Sequence, residues 1–179
     1  MNIWITGPES CGKTELAQFL VQQVEGAEYV EEYARIYLEQ KLPSLDYSRD
    51  ELEHIVEEQI SRWEIELLNT QTHHIIDGDV LVLKIWVEEV YGENWPSIER
   101  WLNHFSPELL LLCKPDVPWI ADPLRTNPND RDRLFEKYVQ ACIHLSWPYH
   151  IISGGYDQRD KTALELVRRA LSIDESKQR

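Results

Sequence analysis

Gly7-Pro8-Glu9-Ser10-Cys11-Gly12-Lys13-Thr14 meets the pattern G-x-x-x-x-G-K-[ST] at every fixed position. Upstream, Asn2–Thr6 (NIWIT) is a short apolar run suited to a buried strand. Downstream, Leu16, Phe19, Leu20 and Val24 recur at helical spacing until Gly26 supplies a stop. A glycine-rich loop between a strand and a helix turns its backbone N–H groups toward one point, and the helix N-terminus adds positive potential there. That arrangement suits a nucleoside triphosphate such as ATP, with Lys13 reaching the β and γ phosphates and Thr14 ligating Mg2+. Residues 7 to 14 are therefore the candidate cofactor-binding set. Cys11 lies among these amide dipoles, which favour a thiolate, although a tolerated small residue is its simpler reading.

Working outward, Ala27–Val30 reads as a second strand and Glu31–Gln40 as a short helix broken by Pro43. Ser48 and Glu51 have the spacing of a capping box. The helix they open carries an apolar stripe of Leu52, Ile55, Val56, Ile60, Trp63 and Leu67. His73–Asp77 predicts a third strand, followed by a buried helix from Val80 to Val90 that Asp79 caps and Gly92 ends. Glu108–Cys113 and Tyr149–Ser153 complete five strands, with helices expected over 131–145 and about 161–171. Strands alternating with helices predict a three-layer α/β/α P-loop NTPase fold around a five-stranded parallel sheet. No repeat or linker divides the chain, so residues 1–179 are expected to form one domain.

With 18 basic against 32 acidic residues, the 179-residue chain has a formal net charge of −14, which argues against nucleic acid as a partner. No apolar run reaches membrane-spanning length, and the first strand leaves no room for a signal peptide, so no membrane partner is expected. Three widely separated cysteines fit a reducing cytoplasm better than a disulfide scaffold. Self-association into a homo-oligomer is left open.

Phosphoryl transfer needs a metal ligand and a group that accepts the proton of the attacking hydroxyl. Asp77 ends the third strand, and the Asp77-Gly78-Asp79 corner suits hydrated Mg2+ or a ribose, though Asp79 equally suits a helix cap. Glu31 and Glu32 follow the second strand, beyond whose carboxyl end an α/β sheet places its ligand crevice. Either could be the base, or both could complement a helix dipole. The segment 115–137 concentrates Arg125, Arg131, Arg133 and Lys137 in an otherwise acidic chain. It reads as an Arg-bearing lid that stabilises transferred charge and excludes water, with surface ion pairs to Asp130, Asp132 and Glu136 as the competing reading. Trp119 in that segment is the tryptophan considered for stacking on a ring.

These pieces together resemble the ribosylnicotinamide kinase module of NadR-type proteins and its stand-alone, AAA-like P-loop relatives. The resemblance spans nearly the whole chain. It is carried by Gly7–Thr14, Glu32-Tyr33-Ala34-Arg35, the Asp77–Asp79 corner, Pro118-Trp119, Leu124-Arg125, Asn127-Pro128, Asp130-Arg131, and Ile152–Tyr156 with Arg159. It implies a nucleoside/nucleotide-kinase-like fold and transfer of the ATP γ-phosphate to a nucleoside 5′-hydroxyl, nicotinamide riboside being the favoured acceptor. It further implies that Glu32 or Asp77 lies near the acceptor, with Tyr33, Arg35, Asp79 and Trp119 as the other substrate-binding candidates, and that Ser153 to Tyr156 lies near adenine. On this reading Lys13, Glu32, Asp77, Arg125 and Arg131 are catalytic, and Thr14 and Asp77 hold the metal. The chain departs from the family pattern at Glu15, where a second hydroxyl residue is common, at Gly78, often Thr, and at Pro123, often Gly. The adenylyltransferase domain of the bifunctional proteins is not expected, since the first strand begins at residue 2.

Two other classes compete. A nucleotide-dependent switch is suggested by Cys113-Lys114-Pro115-Asp116, which resembles the guanine-reading N/T-K-x-D pattern, but no Asp-x-x-Gly follows the third strand. A regulatory ATP-binding relative without kinase activity would account for the departures at Glu15 and Gly78.

Overall fold

The computed structural model describes residues 1–43, 46–66, 72–125 and 128–177, with side chains as far as residue 172. Leu67 and Asn127, expected in a helix stripe and in the lid, lie outside the described residues. Apolar β-favouring runs form β1 (Asn2–Thr6), β2 (Ala27–Val30), β3 (His73–Asp77), β4 (Leu109–Cys113) and β5 (His150–Ile152). All neighbouring pairs are parallel, in the order β2-β3-β1-β4-β5. β1 is thus central, and the loop leaving it opens over the middle of the sheet, where a doubly wound fold keeps its ligand crevice.

Because side chains alternate along a strand, β1 and β4 each serve two cores. Ile3, Ile5, Leu109 and Leu111 face α1 (Lys13–Gln23) and α7 (Tyr156–Lys177), packing on Leu16, Ala17, Leu20, Ala163 and Val167. Trp4, Leu110 and Leu112 face the opposite layer, built from α3 (Arg49–Glu66), α4 (Val80–Tyr91), α5 (Pro96–His104) and α6 (Arg131–His144), with α2 (Tyr33–Glu39) beside α3. The three-layer sandwich expected from the alternation of elements is therefore present. In the second core Trp4 meets Trp63 and Trp101 edge-on at ring-centroid distances of 5.3 and 5.8 Å, which accounts for three of the tryptophans as packing residues.

The caps behave as their chemistry requires. Ser48 N donates to Glu51 Oε2 at 2.8 Å and Glu51 N to Ser48 Oγ at 3.2 Å, the reciprocal pair of a capping box. Asp79 Oδ1 accepts from Leu81 N and Val82 N at the start of α4, and Gly92 closes that helix.

Two elements differ from the sequence reading. Helix α5 was not expected, although Pro96 stands at its first turn and Ile98, Trp101 and Leu102 are buried at helical spacing; nine residues give too short a pattern to stand out. Helix α7 begins at Tyr156 rather than near Lys161. Arg159, Ala163 and Val167 are all buried at four-residue spacing, and the charge of Arg159 hides the first member of that stripe. All three cysteines are free and buried, and no helix among the described residues is long and apolar enough to cross a membrane.

Candidate active site

The loop between β1 and α1 has the backbone its glycines were expected to permit. Gly7 has φ 138°, and a Cβ there would stand 2.6 Å from the Cys113 carbonyl oxygen and 2.9 Å from Cys11 Sγ, so no other residue fits. Gly12 has φ 82° and serves as the N-cap of α1. Lys13 Nζ donates to the carbonyls of Gly7 and Pro8 at 2.9 and 3.0 Å, which holds the ammonium within the loop. Burial would lower its pKa, but the neighbouring Cys11, Glu32 and Asp77 outweigh this and keep it cationic. Burial likewise pushes the Cys11 thiol up, yet its hydrogen bond with Cys113 and the cations Lys13 and Arg159 bring it down to about 7.

Behind the loop, Thr14 Oγ1 donates to Asp77 Oδ2 at 2.6 Å and Tyr29 OH donates to the same oxygen at 3.0 Å. Asp77 Oδ1 is buried with no hydrogen-bond partner among the described residues. A hydroxyl beside a carboxylate oxygen that lacks a donor is a fitting donor set for a hard divalent cation. Asp79, two residues on, accepts from Thr6 Oγ1 at 2.7 Å as well as capping α4, and burial raises its pKa to about 6.

Glu32 ends the turn after β2, and burial together with Asp77 raises its pKa to about 7 against the opposing pull of Lys13. The carboxylate borders a cavity of about 410 Å3 that is also lined by residues 7 to 15, including Lys13 and Thr14. Away from the phosphate loop the wall becomes apolar and aromatic, with Tyr47, Val82, Ile85, Trp86, Leu134 and Tyr138. Trp86 Nε1 donates to Tyr47 OH at 2.7 Å, which fixes both rings. One cavity therefore joins the glycine-rich loop with Lys13, a carboxylate whose pKa is raised to about 7, and an apolar, aromatic end.

The basic segment divides in two. Arg125 Nη1 donates to Ser10 Oγ at 3.3 Å, and Arg131 Nη1 to the Ser10 carbonyl at 3.0 Å, so both guanidinium groups lie against the phosphate loop. Arg133 and Lys137 instead pair with Glu89 on α4, Arg133 also reaching Asp130. These two do form surface ion pairs, but chiefly with Glu89; of the partners expected from the sequence only Asp130 takes part, with Arg133. On the far flank, buried Arg159 donates to the Cys11 carbonyl at 2.7 Å, to the Gly154 carbonyl at 2.7 Å, and to Lys114 O and Asp116. Asp116 also accepts from Gly154 N at 2.9 Å, so both its carboxylate oxygens are engaged in joining loops. The Tyr156 ring is 3.6 Å from where a Cβ on Gly12 would stand, beside the loop.

A family model described as an AAA domain matches residues 2–159. The chain belongs to that family. This AAA domain is similar to the Trifunctional NAD biosynthesis/regulator protein NadR of Salmonella typhimurium, 25% identical over an alignment that covers 93% of this chain and 42% of the relative. Among solved structures it is similar to NadR protein in complex with NR, at a TM-score of 0.74 and 19% identity over 94% of this chain and 50% of that one. NadR protein in complex with NAD and AMP-PNP gives a TM-score of 0.71 and 18% identity over 94% and 49%. Deoxyadenosine kinase from M. mycoides gives 0.65 and 14% over 97% and 100%. The chain thus spans half or less of the NadR proteins and the whole length of the kinase. The AAA domain has a P-loop kinase fold of the nucleoside and nucleotide kinase kind.

Several expected substrate contacts do not line the cavity. Tyr33 packs with Tyr37 and His54 and lies under Arg62, 4.3 Å from guanidinium to ring. Trp119 stands outside with Arg131 over its ring at 5.6 Å. Ser153 and Tyr156, expected near adenine rather than the acceptor, are likewise off the cavity wall. Asp79 is buried off the cavity wall, its Oδ1 held by Thr6 and the α4 cap and its Oδ2 without a hydrogen-bond partner among the described residues. Arg35 does reach the cavity, held by Asp122 at 2.8 Å and Glu39 at 2.9 Å. Tyr47 and Trp86 were missed. Trp86 sits in an apolar helix where one more large side chain reads as core, and Tyr47 precedes the capping box with no pattern of its own.

Proposed function

We propose that the domain is an ATP-dependent kinase that transfers the γ-phosphate to the 5′-hydroxyl of a nucleoside, with nicotinamide riboside as the favoured acceptor. The observation that carries this reading is the single cavity bounded by Lys13, Glu32 and the Trp86–Tyr47 wall. A triphosphate lies along the loop amides with Lys13 on its outer phosphates, and the planar base of the acceptor lies against the aromatic wall. This sets the 5′-hydroxyl beside Glu32. Glu32 accepts the hydroxyl proton as the ribose oxygen bonds to the γ-phosphorus and the bond to the bridging oxygen breaks, releasing ADP. Arg125 and Arg131 neutralise charge on the moving phosphoryl group. Thr14 and Asp77 would hold Mg2+, which would supply further neutralisation of phosphate charge.

The nicotinamide preference draws on the likeness to NadR protein in complex with NR, and with it come the proposals of a role in NAD biosynthesis and a reducing, cytoplasmic location. A guanine-reading switch is disfavoured, because Asp116 is engaged with Gly154 and Arg159. A screen of ribosides and deoxyribosides with ATP, scored by phosphorylated product and started with nicotinamide riboside, tests the assignment. The expected result is a riboside monophosphate with equimolar ADP. ATP hydrolysis that no riboside alters would contradict it.

A further inference from the structure

At the opposite end of the sheet from the phosphate loop, three strands bring polar residues onto one face. Asn2 pairs in register with His74, and His74 with Glu28. His74 is fully buried, an unusual state for an imidazole unless both ring nitrogens are used. Its Nδ1 faces Asn2 Oδ1 at 2.9 Å. An amide oxygen only accepts, so Nδ1 is the donor in this contact, and the neutral imidazole then presents its lone pair at Nε2. Yet Nε2 has no hydrogen-bond partner among the described residues. The Glu28 carboxylate is 4.0 Å from it, beyond hydrogen-bond reach. Glu66, the last residue of α3, brings a second carboxylate, and one oxygen of each glutamate and one ring nitrogen of His74 all lie within 4.8 Å of one another.

We propose that Glu28, Glu66 and His74 form a binding site for a divalent transition-metal ion, distinct from the Mg2+ position at the phosphate loop. Imidazole nitrogen with two carboxylates suits Zn2+, Mn2+ or Co2+ better than Mg2+, and three protein ligands leave a position for water. The Asn2 side chain orients the imidazole through its far nitrogen, as partners of metal-bound histidines do. Both glutamates are exposed, so the ion reaches the site from solvent without the fold opening. Bound there, it would tie the end of α3 to the edge strand β2 and to β3.

The test is a titration of the metal-stripped, full-length protein with Zn2+ alone against a chromophoric chelator, with Co2+ as a spectroscopic substitute. One Zn2+ per chain is expected, weakened at least about tenfold in Glu28→Gln and in Glu66→Gln, both exposed changes that leave the fold intact. Asn2→Ala should weaken it by about 10- to 100-fold through the imidazole alone. The Co2+ complex should lack a thiolate charge-transfer band. No stoichiometric uptake, unchanged affinity in the two glutamate variants, or a thiolate band from the buried cysteines would each overturn the proposal.

Discussion

Glu32 carries the most exposed claim at the scale of single residues. Its folded-state pKa of about 7 lies above the ordinary carboxylate value, so the folded protein holds this proton more tightly than the unfolded chain. The sign follows: its favourable contribution is complete below about pH 4 and is lost as pH rises through 7. Glu32→Gln should therefore melt above the parent protein at pH 8, and the gap should narrow below pH 7 and close by about pH 4 in melting curves across pH. As a base the same group must be ionised, so kcat/KM should rise with pH along a limb centred near 7 that Glu32→Gln removes, together with about 100- to 10,000-fold of rate. ATP affinity should persist in Glu32→Gln and be lost with transfer in Lys13→Ala, as direct binding would show. Retained transfer in Glu32→Gln would remove that residue from the mechanism. Gly7, Lys13 and Thr14 were legible in the sequence because a phosphate loop is a local device of eight consecutive residues. Trp86 was not, since only packing of α4 against the loop before α3 separates a cavity wall from core.

At the scale of elements, α7 and α4 support the site from its two sides. The first turn of α7 supplies Arg159, which ties the phosphate loop through the Cys11 carbonyl to the ends of β4 and β5. Arg159→Met should cost about 2–4 kcal/mol by leaving several carbonyls and Asp116 without their donor, and should raise KM for ATP. Chemical denaturation and steady-state kinetics would check the two effects. On the other side, Trp86→Ala should raise KM for the acceptor while leaving KM for ATP nearly unchanged. Equal effects on both would mean that α4 only packs. The boundaries of α4 could be read from Asp79 and Gly92 because caps are local chemistry, whereas the start of α7 was hidden by a buried charge whose partners, Gly154 apart, are 43 to 148 residues away.

For the whole molecule, the sheet order places β1 centrally and so sets one loop between the aromatic wall of the cavity and the Arg159 strut. The parallel sheet was legible because alternating strands and helices leave few other solutions, and net acidity set off the few basic residues near the loop. The division of those basic residues was not: Arg125 and Arg131 turn to Ser10 while Arg133 turns to Glu89, a choice made by tertiary contact. ATP with Mg2+ at a hundred times its Kd should stabilise the protein by about 2.7 kcal/mol, or about 5–10 °C in Tm, and Lys13→Ala should abolish the shift. The most direct measurement is a crystal structure with a nonhydrolysable ATP analogue and nicotinamide riboside bound together. The phosphates should lie against the amides of residues 8–14, with the pyridine ring on Trp86 and Tyr47 and the 5′-oxygen between Glu32 and the γ-phosphate. A triphosphate outside that loop, or a riboside whose 5′-oxygen faces away from it, would contradict the assignment.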